Sequence, residues 1–466
     1  MKKLIYTVFT VAGLAALLFT SCSEESLEPS MEQDKNVEGS ITKAEDLEGL
    51  LYGAYDRMTQ TSYYGRDLII YGEIRADNAF SNGNSGRFIN PGRMIMTVND
   101  AYAEDTWTSI YEVIASCNIL IGLDPSAIEG DLAEINHYIG QAYALRAMAH
   151  FDLLKLYGQQ HVTGGNNVGI PYIKEYKGED LTPFRNSVDE VKSNIETDLA
   201  TSLTMMSEAL NDPSHCYLST WGAYALQSRV ALYFGEWSKV ITAAEAVIGS
   251  GAYEIIPEVE FISSWSIKSS VNSIFELAYS TTDNNNINGL SQIYRGTAYG
   301  DIQALEDILT IFDAGDVRAD PYYMIGIGQA EDTLLRNIGK YPSADYSDNI
   351  NLIRYEEVIL NYAEALLQSG RAGDALIQLN LITANRGAQP WTEATKANIL
   401  QERRRELCFE GFRHDDLARN GMDIPLVNPL EQTHDGPAYG SFKYAFPIPE
   451  VEMNANSNML QNQGYK

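Results

Sequence analysis

The sequence predicts a mainly α fold, a tetratricopeptide-like scaffold of helix pairs that carries long, loop-rich excursions. Three observations lead there. Two helical hairpins of like length stand far apart in the chain, one over 219–250 and one closing near Gly387. A third stretch, 141–157, is dense in Ala and Leu at helical spacing. Between these lie long segments without periodicity, 72–100 and 252–348, rich in Asn, Gly, Ser and Tyr.

Composition bounds what such a fold can do. The chain has 466 residues, 45% hydrophobic and 21% charged, enough apolar surface for a sizeable core. It holds 63 acids against 33 bases, a formal net charge of -30. Without Lys2 and Lys3, which lie in a segment expected to be removed, the balance is 63 against 31, or -32. A surface of that sign repels phosphate backbones and anionic lipid, so nucleic acid is excluded as a partner. Four cysteines are too few for a disulfide framework.

The elements follow in order. Met1-Lys2-Lys3 opens an apolar run from Leu4 to Phe19, which meets Thr20-Ser21-Cys22. A charged start, a short apolar stretch and small residues before a cut read as a secretory signal peptide over 1–21. Cys22 stands where cleavage would make it the new N-terminus, ready for a diacylglycerol on its thiol and an acyl chain on its amine. Two or more acyl chains anchor stably. The acidic, polar run over 22–40 can bury little and reads as a flexible tether. Two further regions follow, 41–235 and 236–466, the second containing the variable segment 252–348.

Helices are expected at 42–58, 105–121, 141–157 and 188–210. In 141–157, Ala144, Ala147, Phe151 and Leu154 share a face, and the alanines admit a close neighbour. Ser219 is a natural N-cap for a helix whose stripe is Ala223, Leu226, Val230, Tyr233 and Phe234. Gly235-Glu236 turns the chain into a helix from Trp237 to Ile248. The hairpin spans 219–250, close to the 34-residue tetratricopeptide unit of about two helices and a turn. Ile359, Tyr362, Ala363 and Leu366 line the next helix, and Ala375, Leu379 and Ile382 line its return. A strand is possible at 273–279.

These stretches carry a resemblance. Ala144-Leu145-Arg146-Ala147, then Tyr157-Gly158 and Ile170-Pro171, resemble a signature of SusD/RagB-type outer-membrane lipoproteins. So do Trp237 after a Leu-Tyr-Phe-Gly-Glu helix end, Tyr362-Ala363-Glu364-Ala365, and Asn385-Arg386-Gly387. The longest match is Glu402-Arg403-x-x-Glu406-Leu407-x-Phe409-Glu410-Gly411-x-Arg413-x-x-Asp416-Leu417-x-Arg419. Phe446-Pro447-Ile448-Pro449 and Gln461-Asn462-x-Gly464-Tyr465 close the series, and Cys22 with its lipobox-like approach opens it. The resemblance implies about four tetratricopeptide-like helix pairs. It implies a lipid-anchored protein on the outer face of the outer membrane that captures a glycan, or in RagB-like members a peptide. The captured ligand would pass to a SusC-like TonB-dependent transporter, without catalysis and without a cofactor.

Candidate ligand-binding residues come from the two long segments. Aromatic rings stack on sugar faces, and tyrosine adds a polar tip; the chain has 29 Tyr against 14 Phe. Trp265, Tyr279, Tyr294, Tyr299, Phe80 and Phe88 are the candidate platforms, with Asp77, Asn78, Arg87 and Arg295 beside them for hydroxyls. Trp265 is the tryptophan of these segments and the first choice. Both segments are expected to meet on one face. Glu402, Glu406, Glu410 and His414 recur every four residues, a spacing open to a metal but better read as ion pairing with Arg403, Arg404, Arg405 and Arg413. The run 283–289 departs from a calcium loop, since Arg295 stands where the closing Glu would be, and reads as a turn. No H-E-x-x-H, G-x-S-x-G or P-loop occurs. Two other classes stay open: a glycoside hydrolase with two facing carboxylates about 5–9.5 Å apart, and an assembly lipoprotein using its repeats for protein contacts.

Overall fold

The computed structural model describes residues 41–296, 299–328 and 333–466. The signal segment, Cys22 and the tether lie outside the described residues. Eight long helices form the scaffold: α1 (Ala44–Met58), α2 (Ala101–Ile121), α3 (Leu132–Tyr157), α4 (Val188–Met205), α5 (Thr220–Tyr233), α6 (Trp237–Gly249), α7 (Tyr355–Gln368) and α8 (Ala372–Ala384). Each packs on its neighbours in chain order, giving four antiparallel-type pairs and the tetratricopeptide-like architecture the sequence predicts. A ninth, α9 (Lys396–Leu407), packs on α7.

Capping fixes where these helices start. Ser219 accepts a hydrogen bond from the Gly222 amide at 3.0 Å, the N-cap expected for α5. Ser187 and Glu190 form a capping box at α4. Asp100 and Asp131 cap α2 and α3, so both begin earlier than their apolar stripes suggest. The second half of α3 is buried nearly all round, and its small residues let α2 and α4 close on it. Arg146 then joins α3 to α4 through both oxygens of Asp198, at 2.7 and 2.8 Å. A charged fork with both prongs used is a strong, directional bond.

The strands are short and antiparallel: β1 (Ala79–Ser81) with β3 (Ile302–Ala304), β2 (Ser273–Leu277) with β6 (Ile350–Arg354), and β4 (Ile325–Ile327) with β5 (Leu335–Asn337). β6 runs directly into α7. The two irregular excursions, after α1 and after α6, are therefore tied to each other by β1–β3 and to the scaffold by β2–β6. They share the large apolar core with the helices: Phe88, Phe261, Phe275 and Ile302 are all buried in it. Close approach fixes one junction. A Cβ on Gly72, in the short helix Asp67–Ile74, would stand 2.0 Å from the Gly411 carbonyl oxygen. The run 283–289 is a turn with a short 3-10 segment at Asn286–Asn288. Cys117 and Cys408 are buried free thiols, and burial pushes each up to about 12; Cys216 is free and half-buried.

Candidate functional site

The predicted site residues divide sharply by burial. Trp265 is 9% exposed, and the Lys340 ammonium and Arg354 guanidinium lie 4.9 and 5.2 Å from its ring, with Phe261 and Tyr341 edge-on. An indole so surrounded offers no free face to a sugar, so the first-choice platform is a core residue. Tyr294 is buried against Tyr341 and Phe409, and Tyr279 is buried with its hydroxyl donating to the Thr59 carbonyl at 2.8 Å. Phe80 is buried on β1 and Phe88 is buried against Tyr102. Asp77 is taken by Arg413, at 2.6 and 2.9 Å, and by Arg404 at 3.2 Å. Asn78 is buried between Glu73 and Arg404. All these correct the expectation of exposed ligand contacts. The cause is shared: the excursions do not trail over the surface but fold back and build core of their own.

Arg87 and Tyr299 differ. Both are half-buried at the seam of the two excursions, with the Arg87 guanidinium 3.8 Å above the Tyr299 ring. Arg87 donates to Ser85 Oγ at 2.7 Å and to Asn288 Oδ1 at 3.1 Å. Asp301, fully buried, holds the turn beneath them: it accepts from the Ser85 amide at 2.8 Å and from Ser85 Oγ at 2.5 Å. Gly86, at φ +82, supplies the left-handed turn that brings Arg87 round. Asn84 spans the seam to the Tyr299 carbonyl at 2.7 Å. The two segments thus meet on one face.

On the second excursion lies a cleft of about 410 Å³ that the sequence reading did not single out. Tyr322 and Tyr323 stand over it, 80% and 61% exposed. Both backbone amides donate to Asp320 Oδ1, at 2.8 and 3.0 Å, so an Asp-Pro turn presents two adjacent rings outward. Ser263, Ser266, Ile327 and Arg295 are among the residues that line it below. The Asp-Pro pair that opens a turn just before Tyr322 and Tyr323 was the available signal.

A larger hollow, about 700 Å³, lies between α2 and residues 171–183. Its rings are already committed: Tyr111 donates to the Pro171 carbonyl, Tyr172 to Asp198, and Trp107 packs edge-on against Tyr157.

The four-residue series of acids serves structure. Glu402 meets Arg318 at 2.6 Å, and Glu410 meets Lys340 and Arg354 at 2.5 and 2.8 Å. Burial alone would raise the Glu406 carboxyl, yet Arg386, Arg354 and Arg318 hold it well below the usual range. The expected local partners mostly go elsewhere: Arg403 to Asp416, Arg404 and Arg413 to Asp77, while Arg405 divides between Asp313 and Glu402. The chain leaves the helix after Leu407, with Phe409 at φ +65, so the acids do not continue along one helical face. His414 is buried, and burial drops it to about 4. The motifs therefore bind one another: Arg419 reaches Glu364 at 2.7 Å, and Arg386 reaches Glu406.

Comparison with known proteins agrees with this architecture. A family model described as "Starch-binding associating with outer membrane" matches residues 26–232, and one described as "SusD family" matches 336–465. A SusD-like protein P38 of Formosa agariphila is 25% identical over 97% of this chain and 99% of its own. The starch-binding protein SusD of Bacteroides thetaiotaomicron is 33% identical over 27% of this chain and 22% of its own. A crystal structure of a SusD superfamily protein from the same organism superposes with a TM-score of 0.82 at 26% identity, covering 90% of this chain and all of that one.

Proposed function

The chain belongs to the SusD/RagB family, and from that premise we propose that it captures oligosaccharides at the cell surface and delivers them, uncleaved, to a SusC-like TonB-dependent transporter. The family is one of glycan-binding proteins of the outer membrane. Cys22 carries the lipid that holds the protein there, facing outward, and 22–40 is the tether.

The observation that carries the binding half is the exposed pair Tyr322 and Tyr323 above an open cleft. Large aromatic rings left in water cost free energy unless a ligand covers them, and a pyranose presents C–H faces suited to them. Arg87 and Tyr299 at the excursion seam offer a second, half-buried pair of the same chemistry. A rigid helical scaffold displaying its recognition groups on loops is the usual division of labour.

The test is a panel of oligosaccharides and peptides against the soluble protein, followed by isothermal titration of the best ligand on Tyr322→Ala and Tyr323→Ala. Each should lose on the order of 1–3 kcal/mol of affinity, as for a stacking hot spot, with an unchanged melting temperature. Product release by repurified protein, or undiminished affinity in both variants, overturns the reading. A panel in which peptides alone bind replaces glycan by peptide.

A further inference from the structure

We infer that the cleft under Tyr322 and Tyr323 is built for an anionic sugar, a pyranose bearing a carboxylate or a sulfate, whose charged group is received by Arg295. The inference rests on the glycan-capture reading and narrows its ligand class.

Charge distribution is the first ground. The chain has 63 acidic residues, yet among the described residues no acid lines this cleft and Arg295 is the charged one that does. The 700 Å³ hollow, by contrast, is lined by five acids, Glu112, Glu175, Glu179, Asp180 and Glu452, against two lysines, Lys174 and Lys177.

The state of Arg295 is the second. It is 8% exposed. A guanidinium has five N–H donors, and here one hydrogen bond is made, from Nη1 to the Pro342 carbonyl. Its Nε meets no acceptor. Among the described residues no carboxylate pairs with it, and Asp348 acts on it from beyond ion-pair distance. Other buried arginines are matched: Arg146 by Asp198, Arg318 by Asp316, Arg354 by Glu410, Arg386 by Glu406. Arg75, which lacks a carboxylate, donates to the Lys443 and Tyr444 carbonyls and stacks on Phe446. Arg295 has one carbonyl, that of Pro342, and no carboxylate within ion-pair distance among the described residues.

A buried cation without a counter-charge is costly, and an arriving anion removes that cost. The planar fork of a guanidinium matches the paired oxygens of a carboxylate or sulfate. The tyrosine rings supply the apolar face for the sugar ring. Neutral sugars would use the rings and leave Arg295 as it is, so the cleft discriminates in favour of charge.

The experiment compares neutral, uronate-bearing and sulfated oligosaccharides on the full protein, Arg295→Gln and Arg295→Lys. Thermal melting checks that each variant folds. In parallel, the Arg295 Nε–H resonance of arginine-labelled protein is followed with glucose, glucuronate and glucose 6-sulfate. The expected result is preference for anionic ligands, a loss of tenfold or more in Arg295→Gln with partial retention in Arg295→Lys, and a resonance that moves with the anionic sugars alone. The stronger of the uronate and sulfate arms names the anion. If neutral glycans bind and Arg295→Gln leaves affinity intact, the anion assignment fails while glycan capture stands. If no glycan binds, both fall together. Should Arg295→Gln not fold, an Nε–H resonance indifferent to every anionic sugar overturns the assignment by itself.

Discussion

Arg386 grips both oxygens of the Glu406 carboxylate, Nε to Oε2 and Nη2 to Oε1, at 2.9 Å each. Neither side chain has any solvent-exposed area. Arg354 and Arg318 approach the same carboxylate at 3.0 and 3.2 Å, so one acid ties together arginines from three separate stretches of chain. Replacing Glu406 by Gln removes the carboxylate that the three arginines share and leaves a buried ion cluster one negative charge short. The expected loss is about 3–5 kcal/mol of folding stability, read from denaturant unfolding. A change within about 0.5 kcal/mol, typical of a surface site, would contradict the structural role.

Stability should fall on mild acidification through His150. Its Nε2 accepts the Ile173 amide at 3.0 Å while Nδ1 donates to the Arg146 carbonyl at 2.9 Å, so the ring is held neutral, stacked on Tyr172. Burial drops its pKa to about 3, well below the ordinary 6.5. The unfolded chain therefore binds a proton that the folded chain refuses between those values, and stability is lost as pH falls from 6.5 toward 3. Half-buried His161 and buried His414, both lowered by desolvation to about 4, act in the same direction. Asp67, which burial raises to about 6, opposes them. Urea midpoints measured from pH 7.5 to 4.5 should decline, with a shallower decline in His150→Phe. A decline in His150→Phe as steep as in the parent protein would show that the His150 ring is not held neutral.

Trp265→Ala should separate packing from binding. Truncating a buried tryptophan costs about 3–5 kcal/mol, and here it also uncovers Lys340 and Arg354. Melting temperature should drop while ligand affinity, measured below the transition, stays within twofold. A large affinity loss in a fully folded variant would return Trp265 to the binding site.

Cys22→Ala should abolish acylation and release the protein from membranes. Fractionation in cells lacking the partner transporter is the measurement. Retention of the variant in the outer-membrane fraction would refute the lipid anchor.

The helices were legible because their signals are local. Ala144, Ala147, Phe151 and Leu154 repeat at helical spacing, and Ser219 announces α5 one residue ahead. The missed starts of α2 and α3 have a plain cause: each begins at an aspartate cap, Asp100 and Asp131, and the reading started from the apolar stripes further along instead. The site was less legible because burial of a loop aromatic is decided by distant chain. Tyr279 is covered by Thr59, and Tyr294 by Phe409, partners that no window around either residue contains. Arg87 and Tyr299 were found by residue type alone; what makes them a unit is Asp301 binding Ser85 across the seam.

That seam has a consequence for how the molecule comes into being. Ser85 and Asp301 are 216 residues apart, and β1 has no ladder partner until β3 exists. A chain emerging N-terminus first can complete α1 to α6 while residues 79–87 still lack their other half. Contacts of such long sequence separation form slowly and late. On the proposed function, recognition at this face is thus withheld from partly made chains. Competence to bind reports that the distant halves of the protein have found each other.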